Sequence, residues 1–449
     1  MTDTPVIIKK PHPSSSASVE RKVSFAPDLK KVSSKVMNFR EQAWNAFNGL
    51  PFPTNKDEAW RRTEISKLPL ESLRVAENTS AEKLNIPQDL LEPLADGAHG
   101  GQIVIEDGRV KLHLDQEWKK KGVIFTDWQT AWKDHADVIS KISGNLLRPD
   151  EDKFAALSYA MVENGAFLYV PRGVKVTSPL HSLIWVSGEG LAHFSNITIL
   201  LDEGAEVTYV HESASSNQNH KDSLHAGVME IQVGEGATLR FVELQSWGEN
   251  VWNFTHERVN VGRDGNVEWI FGALGSKVTK NFSDLNLVGQ GAMGKMSGFY
   301  FTHGNQHLDH DTQQNHLAPN TTSDLLFKGA LVGKSRSVWQ GMIHVAENAT
   351  KADGYQANRN LLLDQRARAD SIPGLEILTD DVRCTHGATV GKIDPEELFY
   401  LESRGMPKDD AERLIVEGFF DPIMQRIPFE GVRTRFQKAI LQKLESTRT

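Results

Sequence analysis

The order of apolar and polar positions changes character twice along this chain. Near the N-terminus Val36, Phe39, Ala43, Trp44 and Phe47 recur at helical spacing, and Gly49 followed by Pro51 stops the helix. The segment from Leu50 to Arg61 reads as an ordered loop. Alternation then takes over in Gln102-Ile103-Val104-Ile105 and Val110-Lys111-Leu112, and Asp107-Gly108 between them predicts a hairpin. Helical sequence returns over roughly 127–142. Residues 33–150 are therefore expected to form a small mixed α+β domain, preceded by a loose Pro-, Ser- and Lys-rich tail over 1–32.

From Phe167 to Val382 short β-rich runs alternate with Gly, Asn, Asp and Ser. Glu203-Gly204-Ala205-Glu206-Val207-Thr208-Tyr209-Val210 is echoed by Glu235-Gly236-Ala237-Thr238-Leu239-Arg240-Phe241-Val242, and again by Asp264-Gly265-Asn266-Val267-Glu268-Trp269-Ile270. The glycine-to-glycine steps are 32 and 29 residues. A unit of that size cannot bury its apolar face alone, whereas stacked units make a continuous core. The expectation is a mainly β fold with a solenoid core over 151–392; a β-sandwich is the competing arrangement.

After Gly391 the period becomes helical again. Asp394-Pro395-Glu396-Glu397 is a helix start: a capping carboxylate, Pro at the first helical position, and acids facing the dipole. Leu398, Tyr400 and Leu401 supply its apolar face, and Gly405 with Pro407 ends it. A second helix is predicted over Asp409 to Phe420 with Ala411, Leu414, Ile415 and Phe419 on one stripe, and a third from about Pro422 to Leu444. Residues 393–449 thus make a C-terminal helical domain.

Composition narrows the function. The net charge of -9 argues against a dedicated nucleic-acid binder, which wants a basic face. No apolar run is long enough for a membrane span, and the first 30 residues lack a signal peptide's apolar core. A single cysteine excludes an intramolecular disulfide framework and fits a reducing cytosol, so a cytoplasmic location is expected. It also means that the chain by itself cannot supply the usual four thiolates of an iron–sulfur cluster.

That cysteine, Cys384, is followed two residues later by His386. Strand alternation puts both on one face, where a thiolate and a neutral imidazole suit soft-metal or persulfide chemistry. The alternative is a buried cysteine packed beside a satisfied histidine. Asp380 and Asp381 either tune the local charge or end the last strand. A second polar cluster, with His303, His307, Asp309, His310, Asp311 and His316, matches no metal spacing and reads as polar ladders on the solenoid. No phosphate-binding glycine loop and no nucleophile elbow occur.

Several segments together resemble the SufB/SufD family of iron–sulfur cluster assembly proteins, and the SufD branch more closely. They are Tyr355-Gln356-Ala357-Asn358-Arg359-Asn360, Pro373-Gly374-Leu375-Glu376-Ile377, Asp380 through Gly391, and Leu398-Phe399-Tyr400-Leu401-Glu402-Ser403-Arg404-Gly405. Thr312, His316, Pro319, Lys328-Gly329, Arg336 and the N-terminal Lys56-Asp57-Glu58-Ala59-Trp60-Arg61 agree as well. The SufB branch typically has His-Glu-Ala where this chain has His386-Gly387-Ala388.

The resemblance implies a right-handed parallel β-helix between the two flanking domains, and a non-catalytic scaffold subunit. It implies assembly with a SufB-like paralogue and with a SufC-like ABC-type ATPase that docks on the helical domain. His386 then matches a cluster ligand at the paralogue interface and Cys384 a neighbouring family cysteine, so the iron–sulfur cluster is a transient, shared cargo. Leu398, Phe399, Tyr400, Leu414, Ile415 and Phe419 join them as expected interface residues. Whether the isolated chain forms a homodimer in place of that assembly stays open. Two other readings stay open: a β-helix enzyme acting on polysaccharide, and a stand-alone metal-binding protein using residues 303–316.

Overall fold

A computed structural model describes residues 21–29, 34–75, 86–92, 99–162, 164–217, 220–427 and 429–446. Its centre is a solenoid of two parallel sheets. One runs, from the N-terminal end, through Ile124–Asp127, Asn164–Val170, Leu191–Leu201, Ser223–Val233, Val251–Val261, Val278–Leu287, His307–His316, Arg336–Val345 and Arg368–Ile377. The other runs through Arg109–Leu114, Gly101–Glu106, Leu180–Val186, Glu206–Ser215, Thr238–Ser246, Asn266–Ala273, Met293–Thr302, Thr322–Leu331, Ala352–Leu362 and Val382–Lys392. Successive strands alternate between the sheets, so each coil lies directly on the one before.

One corner of every coil is closed by a residue in the left-handed conformation. Gly204, Gly236, Asp264, Gly291, Asn320 and Lys351 have φ of 66°, 61°, 50°, 74°, 57° and 59°. Their amides form a ladder: Gly204 N–H donates to Glu235, Gly236 to Arg263, Asp264 to Gln290, Gly291 to Pro319, Asn320 to Thr350 and Lys351 to Asp381. The third repeat is thus offset by one from its apparent glycine, since Asp264 rather than Gly265 takes the turn. Short polar side chains tolerate this conformation well enough to replace glycine. Asp381 serves the last rung through its backbone and precedes, rather than ends, the last strand Val382–Lys392.

Inside, apolar side chains stack in columns. Tyr209, Phe241 and Trp269 follow one another with ring centroids 6.0 and 5.7 Å apart. Outside, each sheet is covered. Trp60 wedges against Phe154, Phe254 and Phe282 at 5.5, 5.5 and 5.8 Å, bringing the N-terminal segment onto the first sheet. Helix Lys153–Met161, capped by Asp152, is buried between them along its whole length. The 21–29 segment, expected to be loose, is held by Arg21 bonded to the carbonyls of Ile65 and Leu68 and by Val23 and Phe25 packed on the same core. The remainder of the expected tail, 1–20 and 30–32, lies outside the described residues.

The predicted hairpin forms, with Ile105 opposite Val110 and positive φ at Asp107 and Gly108. Its strands also continue one of the solenoid sheets. Gly101–Glu106 pairs parallel with Leu180–Val186, and Ile124–Asp127 pairs antiparallel with Asn164–Val170, so N-terminal strands finish both sheets.

The C-terminal helices are Pro395–Ser403, Lys408–Met424 and Glu430–Ser446. Asp394 caps the first, its side chain accepting from Glu396 N–H at 2.9 Å. The second runs past its expected end and includes Pro422. Proline there sits in the last turn, and burial of Ile423 and Met424, worth about 1.5–3 kcal/mol each, offsets the lost hydrogen bond. The buried stripe is Val416, Phe420, Ile423 and then Phe436, packed on Val242, Ile270 and Phe299 of the second sheet. Of the predicted stripe, Ala411 is buried and Phe419 packs on the same core, whereas Ile415 is half-buried and Leu414 exposed.

Candidate functional site at the open end of the solenoid

The two ends of the solenoid are built differently, the N-terminal one finishing in the antiparallel strands Arg109–Leu114 and Ile124–Asp127. Among the described residues, Arg368–Ile377 pairs only with Arg336–Val345, and Val382–Lys392 only with Ala352–Leu362. No strand covers either edge, and Leu375, Ile377, Leu378 and Val390 are 37%, 38%, 51% and 45% exposed.

Cys384 and His386 stand in this open mouth. In register they lie over Gly354 and Gln356, positions whose side chains face the solenoid axis. Cys384 is half-buried and packs with Ile343, Val345, Ala349 and Ala352, whereas His386 is exposed. The cysteine is packed below and open above. Burial pushes its thiol above the ordinary range, and the Asp353 carboxylate adds to the effect.

The seat beneath Cys384 exists because residue 354 is glycine. A β-carbon there would meet Cys384 Sγ, His316 Nε2 and Ile343 Cγ2, each at 3.2 Å. His316 is fixed in one tautomer. Thr321 donates its hydroxyl proton to Ala318 O at 3.1 Å, so His316 Nδ1–H donates to Thr321 at 2.8 Å and Nε2 accepts from Ser323 at 2.9 Å. Burial pulls its pKa down to about 4, leaving a neutral floor. Gln356, under His386, donates to Gly374 O at 2.9 Å, and its Oε1 is buried without a partner. Gly354→Ala is expected to tilt Cys384 outward with a stability change of about 1 kcal/mol. Faster alkylation of the thiol would report it; an unchanged rate would mean that Gly354 does not seat the sulfur.

The other sequence candidates are dispersed. His303 pairs with Glu249 at 2.7 Å, His307 with Thr63 at 2.8 Å, and His310 and His316 face the interior. Asp309 binds the buried Lys280 at 2.9 Å. Among the described residues no three His, Cys, Asp or Glu side chains come together to hold a metal ion, so the 303–316 segment gives no stand-alone metal site. The polysaccharide reading gains nothing either, since the outer sheet faces that would carry a groove are packed under the N-terminal segment and the C-terminal helices.

A hydrogen-bonded series that the linear sequence did not reveal runs inside the solenoid. Ser195 donates to His225 Nε2 at 2.9 Å, and His225 Nδ1 to Asn253 Oδ1 at 2.6 Å. That order resembles a hydrolytic triad. Yet all three are buried, and the strand of Ser195 is paired on both sides, so its backbone amides are engaged rather than aimed at an oxyanion. Only inward position across three coils unites these residues.

Two family comparisons cover this architecture. Residues 24–181 match the SufBD protein N-terminal region, and residues 184–419 match the SufBD core domain of the SUF system for FeS cluster assembly. The chain belongs to the SufBD family. A protein of Staphylococcus epidermidis described as an iron-sulfur cluster assembly SufBD family protein is 33% identical over 349 residues, covering 78% of this chain and 74% of the relative. Proteins of Staphylococcus haemolyticus and Staphylococcus aureus so described match at the same identity and coverage.

The SufBD core match takes in both the open mouth and the first helices beyond it. There Phe399, Tyr400 and Leu414 are 70%, 56% and 45% exposed. Leu398, Ile415 and Phe419 are half-buried, Phe419 being tied inward by the Lys328 ammonium 4.6 Å over its ring. A cleft of about 500 Å³ opens between Tyr400, Leu401, Leu414 and Ile415, rimmed by Asp394, Glu396 and Glu397. Among the described residues no helix is long and apolar enough to cross a membrane.

Proposed function

We propose that this chain is a SufD-type scaffold subunit without turnover of its own, acting in the cytoplasm. Its open solenoid end pairs with a SufB-like paralogue, and its helices from 395 to 424 dock a SufC-like ABC-type ATPase. The observation that carries this reading is the C-terminal mouth of the solenoid: two strand edges paired on one side only, exposed Leu375, Ile377 and Val390, and the thiol of Cys384 with an exposed imidazole beside them.

The nascent iron–sulfur cluster is the cargo. His386 offers a nitrogen at the rim and Cys384 a sulfur just below it. One thiol and one imidazole fit part of a cluster, so the remaining donors come from the partner across the interface. Cys384 rests as a thiol, and taking up a soft metal displaces its proton. The acid-rimmed apolar cleft suits an ATPase surface that presents basic and aromatic side chains.

Co-expression with the paralogue and the ATPase tests the assembly. All three chains are expected to co-purify, and Tyr400→Ala with Leu414→Asp is expected to weaken ATPase retention at least about tenfold while leaving the paralogue bound. Retention of the ATPase by that variant would remove the helices from the reading. Failure of the wild-type chain to bind the paralogue would remove the reading itself.

A further inference from the structure

Glu243 and Glu257 meet in the middle of the solenoid. They come from opposite sheets of one coil, both face the axis, and both are buried, at 5% and 1% exposure. Their carboxyl groups are within hydrogen-bonding reach of each other. Two carboxylates have no proton to put between them, so this contact requires that at least one be an acid.

The neighbouring atoms place that proton on Glu243. Asn281 Nδ2 donates to Glu257 Oε1 at 2.6 Å. Ser283 Oγ has one proton and two acceptors, Asn281 Oδ1 at 2.5 Å and Glu257 Oε2 at 2.8 Å. Both Asn281 and Ser283 thus direct donors at Glu257, which suits the ionised member of the pair. Glu243 has only the Trp269 indole beside it, and no full hydrogen bond forms between them.

No positive charge offsets the pair. The inward positions of the coils from 206 to 287 hold no Lys or Arg among the described residues, and Lys280 points to the outer face. Besides the phenols of Tyr209 and Tyr300, which burial raises, the titratable groups facing this part of the interior are His211, one coil below Glu243, His225 on the neighbouring strand, and His310 two coils above. Burial holds the histidines neutral, with values near 3, 4 and 3. A lone pair of buried carboxylates would be costly in this setting, and taking up a proton removes the cost.

We propose that Glu243 and Glu257 share a proton inside the solenoid, and that this proton makes the central coils a pH-operated joint that loosens at alkaline pH. Burial pushes Glu257 up to about 7 and Glu243 well above its ordinary range. Both folded values lie above the unfolded one. Their contribution to stability is therefore complete below the ordinary glutamate range, and is lost as pH rises first through about 7 and then through the more alkaline step of Glu243.

Glu243→Gln tests it. The amide supplies a permanent donor to Glu257 and carries the charge of the half-protonated pair. Urea midpoints of the full chain should fall between pH 7 and pH 9.5 in the wild type and stay level over that range in the variant. Equal falls in both would overturn the proposal. An infrared spectrum of the wild type needs no variant: at pH 8.5 a deuterium-sensitive band of a protonated carboxylic acid should persist, where Glu230, raised only to about 7, is already ionised. Absence of that band, or a tightly held cation found in its place by metal analysis, would also overturn it.

Discussion

His386→Ala is expected to lower iron–sulfur cluster accumulation on the co-expressed complex by at least about tenfold, the scale on which loss of a metal-site group is felt. The expectation rests on where the ring stands. It is exposed at the rim of an open coil, and its neighbour along the axis, Gln356, is fully buried. An exposed imidazole contributes little to folding, so the variant should unfold within about 0.5 kcal/mol of the wild type. That separation is what makes the experiment informative. Loss of cluster with retained folding and retained partners assigns the imidazole to the cargo. His386→Cys should restore part of the loss, since a thiolate at the same rim position can also bind iron. Cluster loading equal to wild type in His386→Ala, read by visible absorbance and iron content, would end the ligand assignment.

The second large effect is expected at the sheet edges. Ile377→Lys combined with Val390→Lys places two ammonium groups on the uncapped mouth, one in each terminal strand. These side chains are 38% and 45% exposed in the isolated chain, so the substitutions should leave its stability almost unchanged. In a complex they would be buried, and a desolvated, unpaired charge at the centre of an interface costs about 2 kcal/mol or more, roughly 30-fold in affinity. Size-exclusion of the co-expressed proteins should show the paralogue leaving while the ATPase stays on the helices. The same variant should abolish any homodimer of the isolated chain, because one surface serves both. A paralogue that stays bound would place the contact elsewhere on the chain.

Much of this architecture was legible before any coordinates. The turn repeats at Gly204 and Gly236 marked the coils, and Asp394-Pro395 marked the first C-terminal helix. The offset at Asp264 was hidden because glycine follows it, and the eye pairs like with like where the fold pairs by hydrogen bond. The helical stripe was partly misplaced for a related reason. Leu414 and Ile415 satisfy helical spacing as well as Val416 and Phe420 do, and only the outer face of the second sheet decides which set is buried. The joining of the N-terminal hairpin to the solenoid was not legible, since nothing in a short hairpin says that its free edge continues another sheet.

The chemistry divides along the same line. Residue identity alone establishes that a chain with one thiol cannot complete a cluster, and that Cys384 and His386 share a strand face, because ligand counting and strand alternation need no partner element. Folding alone decides that this face looks into an uncapped mouth, that Gly354 leaves room for the sulfur, and that Glu243 comes to lie against Glu257. Those are contacts between residues one coil apart or on opposite sheets. They depend on the register of stacked strands, a property of the hydrogen-bond ladder between coils rather than of any local stretch of chain.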